Sequence, residues 1–369
     1  MMDIATLITR RNALALELAA VEAEIASATV QPADLLKTLS VCKGGETLYL
    51  DDADFGDLSL KAPKWEAPVT LIGGRFKSMK LMGVPGLRLE STAAQSIHIL
   101  HVNKTPSSNI DLNRVRAGSI TLQHVQGFAV NDCLLSSTEF PLLITGSVDG
   151  VVRGTEITDW LEDALRIVGG SRRIVVEGCH FHNPSPYILP KTHSDLIQMF
   201  GRNGAGPEDI TIRRNVLRGT LRANRGSGVL TQGFLVNNHT GGGFRNIIIE
   251  ENLIDAASVT VAVFDGMVEG CAFRRNSVLH LDGGKIGQVR VVNSPGMVVE
   301  NNIVPLITDL SAGTELAAKM GENLMWRRGV SPFPVPVGTL ADFVPRSETE
   351  VLPGMGATVG DIRANTITG

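Results

Sequence analysis

Two segments of the chain set an acid in front of an aliphatic run. Thr158-Asp-Trp-Leu-Glu-Asp-Ala-Leu-Arg-Ile and His193-Ser-Asp-Leu-Ile-Gln-Met align with one another, so that Asp163 matches Asp195 and Glu162 matches Ser194. Stacked as neighbouring strands, these segments would bring the two carboxyls within roughly 5 to 6 Å, a separation at which paired acids can act on a glycosidic bond. Like charges crowded together raise one pKa, as a general acid requires. His193 sits just ahead of Asp195, where it can orient a carboxylate or relay a proton. Asp163 and Asp195 are therefore candidate catalytic residues, with Glu162 and His193 in support. The same pattern has a plainer reading. An Asp immediately before a strand commonly bonds the N–H groups of its own turn, and that role needs no substrate.

Candidate binding groups lie near these acids. The segments from Asn183 to Ser194 and from Leu217 to Gly228 read as insertions, and they bring in Tyr187, Lys191 and Arg225. Gln198 and Arg166 sit on the runs that follow the two aspartates. A shallow polar groove with occasional aromatics suits an extended polysaccharide. It does not suit a nucleotide, since no G-x-G-x-x-G follows a strand and opens a helix. A lyase would instead use Lys191, His193 or an Arg near a substrate uronate as base, and Ca²⁺ could then neutralise that uronate; otherwise no cofactor is expected.

What must position these residues is a repeat running from Val69 to Val304. Its unit is aliphatic-x-x-(Asn/Cys/Thr)-x-aliphatic. It reads Ile110-Asn113-Val115, Val130-Cys133-Leu135, Val152-Thr155-Ile157 and Val176-Cys179-Phe181 in the first half. It continues as Ile212-Asn215-Leu217, Ile249-Asn252-Ile254, Val268-Cys271-Phe273 and Val299-Asn302-Val304. The tetrapeptide Val-Glu-Gly-Cys occurs at 176–179 and again at 268–271. A unit of about 20 residues cannot bury its apolar side alone, but copies stacked at roughly 4.8 Å enclose a continuous core. Equivalent positions then form ladders, aliphatics inside and Asn, Cys or Thr at an inward bend. Cys133, Cys179 and Cys271 share that position with Asn113, Asn215, Asn252 and Asn302, which reads them as buried structural thiols. With Cys42 they form no C-x-x-C pair, so neither a zinc site nor a disulfide framework is indicated.

This pattern resembles the right-handed parallel β-helix of the pectin-lyase-like superfamily, over residues 40–305. Gly44-Gly-Glu-Thr-Leu-Tyr-Leu-Asp and Ala67-Pro-Val-Thr-Leu-Ile-Gly-Gly are similar to its first turn. The resemblance implies an all-β fold, a single-stranded right-handed parallel β-helix, preceded here by a short N-terminal coiled-coil helix. It says less about chemistry, because the fold hosts lyases, hydrolases, adhesins and viral spikes. The Asp-Asp-Gly pattern of β-helix polysaccharide enzymes is matched only in part, by Glu162-Asp163-Ala164 and Ser194-Asp195-Leu196. Outward positions Leu143, Val168, Leu196 and Phe200 are more apolar than a free surface needs, which predicts cover by a loop or by another chain.

The N-terminal helix is read from Ile4, Leu7, Arg11, Leu14, Leu18, Val21 and Ile25, whose alternating steps of three and four form an a/d seam. A helix of this length needs a partner. The chain of 369 residues is 43% hydrophobic and 20% charged, which excludes a disordered polymer. A net charge of −4 provides no basic field for nucleic acid. No apolar run reaches the ~18 residues of a membrane span. Arg10, Arg11, Glu17, Glu22 and Glu24 interrupt the first segment, so no signal peptide is expected.

Heptad helix, β-helix body and missing signal peptide together resemble bacteriophage tailspikes and tail fibres. The resemblance implies a homotrimer, made in the bacterial cytoplasm and carried on the virion tail. Its N-terminal helix would join other tail proteins, and its body would bind host-surface polysaccharide and in some cases cleave it. The expected division is 1–30 for attachment, 31–65 for an N-terminal cap, 66–305 for the β-helix and 306–369 for a C-terminal cap. Two other classes remain open: a free polysaccharide lyase or glycoside hydrolase, and a non-catalytic spike or decoration protein.

Overall fold

The computed structural model describes residues 29–185, 194–219, 231–238, 240–256, 258, 260–280, 287–325 and 356, with eight helical positions between 7 and 18. Among these residues, 31 strands join in one sheet whose ladders are parallel. Through the middle of the chain each strand pairs with the strand three places on. Leu142–Thr145 pairs with Asp163–Val168, and that in turn with Ser194–Phe200. Val148–Arg153, Arg172–Glu177 and Glu208–Arg213 form a second column. Glu156–Thr158, His180–His182 and Val216–Arg218 form a third.

The columns follow from alternation. Successive side chains of a strand point to opposite faces, so an aliphatic at every second position gives one apolar face. Leu142 and Ile144, Leu165 and Ile167, Ile197 and Met199, and Phe234 and Val236 all lie within 1% of complete burial in the first column. Ile174 and Val176 with Ile210 and Ile212 do the same in the second, and Ile157, Phe181 and Leu217 in the third. These side chains form one continuous cluster.

Each second-column strand leaves its column through a left-handed residue. Asp132, Arg214, Glu251, Arg275 and Asn301 all have φ between 51 and 58°. Such a conformation costs a non-glycine residue roughly 1–2 kcal/mol. The following small polar residue offsets that cost. The side-chain amide of Asn215 donates to Oδ1 of Asn252 at 3.0 Å, Asn252 to Asn276 at 3.0 Å, Asn276 to Asn302 at 3.2 Å and Asn302 to Asn323 at 2.9 Å. Each Oδ1 also accepts a backbone N–H from the previous turn, beginning with Cys179 N to Asn215 at 2.9 Å.

Two expected members are absent from this ladder. Asn113 ends its strand opposite Asn131, and Val115 holds the ladder place. Cys271 begins a strand, opposite Met297, with its thiol directed at the carbonyls of Phe244 and Glu269. The two Val-Glu-Gly-Cys segments thus occupy different places in the repeat, because the extra short strand Met267–Glu269 pushes the second one forward. Cys133, Cys179 and Cys271 are all buried nonetheless, and burial pushes the thiols of Cys133 and Cys179 up to about 12.

The last residues of the second-column strands form a column of alternating charge. Arg153, Glu177, Arg213, Glu250, Arg274 and Glu300 are successive register partners. Glu177 pairs with Arg213 at 3.0 Å and with Arg153 at 3.6 Å, and Glu250 with Arg274 at 2.9 Å. The left-handed residues beside them add Arg214 to Glu251 at 3.0 Å and Arg275 to Glu251 at 3.0 Å.

After an isolated parallel bridge between Thr29 and Tyr49, the paired strands run from Thr47, which lies opposite Thr70, to Met325, opposite Val304. Ahead of it the helix Leu35–Val41 buries Leu35 and Leu39, and Trp65 donates its indole N–H to the carbonyl of Leu39 at 3.1 Å. The helical N-terminal positions include Leu7, Leu14 and Leu18, which are 48, 56 and 59% exposed. Ile4, Val21 and Ile25 of the predicted seam, and the tail from 326 onward except Gly356, lie outside the described residues. Among the described residues no helix is long and apolar enough to cross a membrane.

Candidate functional site

Asp163 and Asp195 are direct register partners on neighbouring strands. Asp163 opens its strand after a turn held by the preceding level, where Leu161 N–H reaches the carbonyl of Thr138 at 3.0 Å, and Asp195 is the second residue of its strand. Trp160 is completely buried under this turn and donates its indole N–H to Ser194 Oγ at 3.0 Å. The turn therefore packs as core; Asp163 at its end and Asp195 on the neighbouring strand are 1% and 0% exposed.

Their oxygens are held from two directions. Oδ1 of Asp163 accepts the backbone N–H of Asp195 at 3.0 Å. Oδ2 of Asp163 accepts from Nε of Arg166. The same guanidinium reaches Glu162 Oε2 at 3.1 Å and lies 3.7 Å above the ring of Phe140. Oδ2 of Asp195 accepts from the amide of Gln198 at 3.1 Å. Each aspartate is thus held by the side chain three residues further along its own strand, and Arg166 and Gln198 are register partners in turn. Burial pushes the Asp163 carboxyl up to about 7, the Asp195 charge adds to the rise, and the Arg166 ion pair opposes it. A carboxyl in that range can hold or release a proton near neutrality.

Arg166 and Gln198, expected to contact substrate, each give a donor to an aspartate, and Gln198 also lines the depression described below. Glu162 supports Arg166. His193, Lys191, Tyr187 and Arg225 lie outside the described residues. Of the residues expected to give an apolar outer face, Val168 and Leu196 are buried, while Leu143 and Phe200 are half-buried.

Sequence reasoning overlooked the next member of the row. Gln232 follows Asp195 in register, and its Oε1 is shielded from solvent with no hydrogen bond among the described residues. The pair Thr231-Gln232 matches Ser194-Asp195 and Glu162-Asp163, so alignment could have found it. Beside Gln232 a depression of about 380 Å³ opens on the outer face of the first column. Gln198, Phe200, Leu235, Asn237, Val263 and Arg290 line it. Amides, a guanidinium and a phenyl ring alternate there with aliphatic floor, on strands fixed by their pairing.

A second cluster was also overlooked. His180 and His182, alternate residues on one short strand, stack at 4.2 Å, and His182 Nε2 lies 2.8 Å from Glu156 Oε1. Burial, and then the neighbouring His182, lower the His180 pKa to about 4. Among the described residues no three His, Cys, Asp or Glu side chains converge as a metal site requires. No protein-family model and no curated protein matches this chain.

Proposed function

We propose that this chain is a tailspike- or tail-fibre-like protein with a right-handed parallel β-helix body that binds a surface polysaccharide. The observation that carries the reading is the outer depression lined by Gln198, Phe200, Asn237 and Arg290, anchored to the aspartate pair through Gln198. Sugars are recognised by hydrogen-bonding amides and guanidinium groups set beside an apolar or aromatic platform. A rigid parallel sheet presents those groups at a fixed repeat of roughly 4.8 Å along the stack. The N-terminal seam makes the assembly a homotrimer and attaches it to other tail proteins.

Recognition is the primary role in this reading. Both aspartates are buried and committed to neighbouring groups, as turn-stabilising acids are. One observation favours a second reading, in which the bound glycan is cleaved: burial raises the Asp163 pKa to about 7, suited to a general acid beside a second carboxyl.

The test is incubation of the full chain with a panel of bacterial surface polysaccharides, with Asp195→Asn as control. New reducing ends without ultraviolet absorbance indicate hydrolysis, and reducing ends with it indicate elimination. Binding without either supports recognition alone. Absence of binding across the panel, with Phe200→Ala indistinguishable from the parent, would overturn the polysaccharide reading.

A further inference from the structure

We propose that a second site, at the opposite end of the first-column strands from the aspartates, binds an oxyanion carried by a sugar unit, so that the polysaccharide recognised is an acidic one. This rests on the polysaccharide reading above and adds the substrate class.

Four strands that pair in succession, Ala93–Leu100, Arg116–Gln123, Leu142–Thr145 and Asp163–Val168, run to the same edge. The residues that follow them are His101, His124, Gly146 and Gly169. The two imidazoles meet edge to face with centroids 4.7 Å apart. At the next two levels there is no side chain. A Cβ on Gly146 would lie 2.5 Å from Nδ1 of His124, and φ is +57° at Gly146 and +63° at Gly169. Glycine at both levels therefore leaves a trough beside the imidazoles. Two adjoining depressions of about 500 and 240 Å³ share His124, Gly146 and Gly170.

The charge around this trough is one-sided. Lys104 and Arg172 line the larger depression and Arg202 the smaller, and neither lining contains Asp or Glu. Two carboxylates lie close to the trough without lining it: Asp149, paired with Arg173 at 2.6 Å, and Glu208, the register partner of Arg172. Nδ1 of His101 is shielded from solvent and has no hydrogen-bond partner among the described residues. Lys104, Arg172 and Arg202 outnumber the one adjacent carboxylate, Glu208, so the lining attracts an anion, and the guanidinium fork of Arg172 matches a carboxylate, phosphate or sulfate face. The imidazole N–H groups supply further donors. The strand Asp163–Val168 spans roughly 17 Å between the two ends. An acidic glycan crossing these strands would turn its anionic substituent toward the imidazoles and away from the aspartates.

The test uses the full chain with isotope-labelled histidine. The ring signals of His101 and His124 are assigned through His101→Gln and His124→Gln. Glucuronate, glucose 6-phosphate and glucose are then titrated separately at constant ionic strength. The expected result is a saturable shift of those two rings with a charged sugar and none with glucose. The charged sugar that saturates first identifies the oxyanion as carboxylate or phosphate. Arg172→Gln should weaken that binding roughly tenfold. No saturable shift with either charged sugar, an equal shift with glucose, or undiminished binding in Arg172→Gln combined with Lys104→Gln would overturn the proposal. The readout needs neither turnover nor the aspartates. A negative result in the glycan panel and a negative result here are therefore separate outcomes.

Discussion

Asp163 accepts the backbone N–H of Asp195 at 3.0 Å, so one acid fixes the start of the strand that carries the other. The Asp163 pKa is raised from 3.8 to about 7, chiefly by burial. Between those values the folded chain binds a proton that the unfolded chain does not. The resulting stabilisation is complete below pH 4 and is lost as pH rises through about 7. Asp163→Asn removes this dependence. Unfolding free energies from urea titrations should shift in the variant's favour by at most roughly 4 kcal/mol between pH 4 and pH 8. A constant difference across that range would return Asp163 to an ordinary carboxyl and remove its suitability as an acid.

Asn252 is bonded on every side. It accepts from the backbone and side chain of Asn215 and donates to Ile212 and Glu250 carbonyls and to Asn276. Asn252→Ala strands these buried partners. The loss should be about 2–4 kcal/mol in chemical denaturation, because unsatisfied buried groups keep their desolvation cost. A change below ~0.5 kcal/mol would show that water replaces the amide freely.

Glu177 titrates in the opposite sense. Burial pulls its pKa upward, but the Arg213 hydrogen bond and the charges of Arg213, Arg153 and Arg214 overcome this and hold it below the ordinary 4.5. Its stabilisation is therefore present above pH 4.5 and is lost as pH falls through the lowered value. Glu177→Gln should cost about 1 kcal/mol at neutral pH and low salt, less in concentrated salt, because its partners are partly exposed. Equal stability of the two proteins at neutral pH in low salt would count the ion pairs as neutral.

Leu14 and Leu18 are helical and more than half exposed, at 56 and 59%. Changing both to Asp should dissociate a trimer built on this seam, with the mass in light scattering falling to that of one chain. An unchanged mass would end the assignment of oligomerisation to this helix.

The parallel stacking was legible because its evidence is local: each unit repeats its own aliphatic spacing, and the period can be read along the chain. The Asp163–Asp195 register was legible for the same reason, since their flanking residues align. The bend ladder was legible only in part. Asn276 was missed because an extra short strand and a repeated tetrapeptide moved the apparent phase at Cys271, and Asn323 because it lies beyond Val304, where the legible repeat ends. The ties between Asp163 and Arg166 and between Asp195 and Gln198 were hidden, because they depend on how a strand leaves its turn. The trough beside His101 and His124 comes from glycines on three-dimensional neighbours more than twenty residues apart, and no local pattern carries it.

The column Arg153, Glu177, Arg213, Glu250, Arg274, Glu300 also bears on how the chain threads during folding. Apolar faces of successive units are nearly interchangeable, so hydrophobic collapse alone would tolerate a unit looped out of the stack. Omitting any one inner member sets like charge on like: Glu177 against Glu250 if Arg213 is skipped, Arg213 against Arg274 if Glu250 is skipped. The alternation thus gives the growing stack a parity check, under which a single omission is repelled at the growing end before later units can bury the mistake.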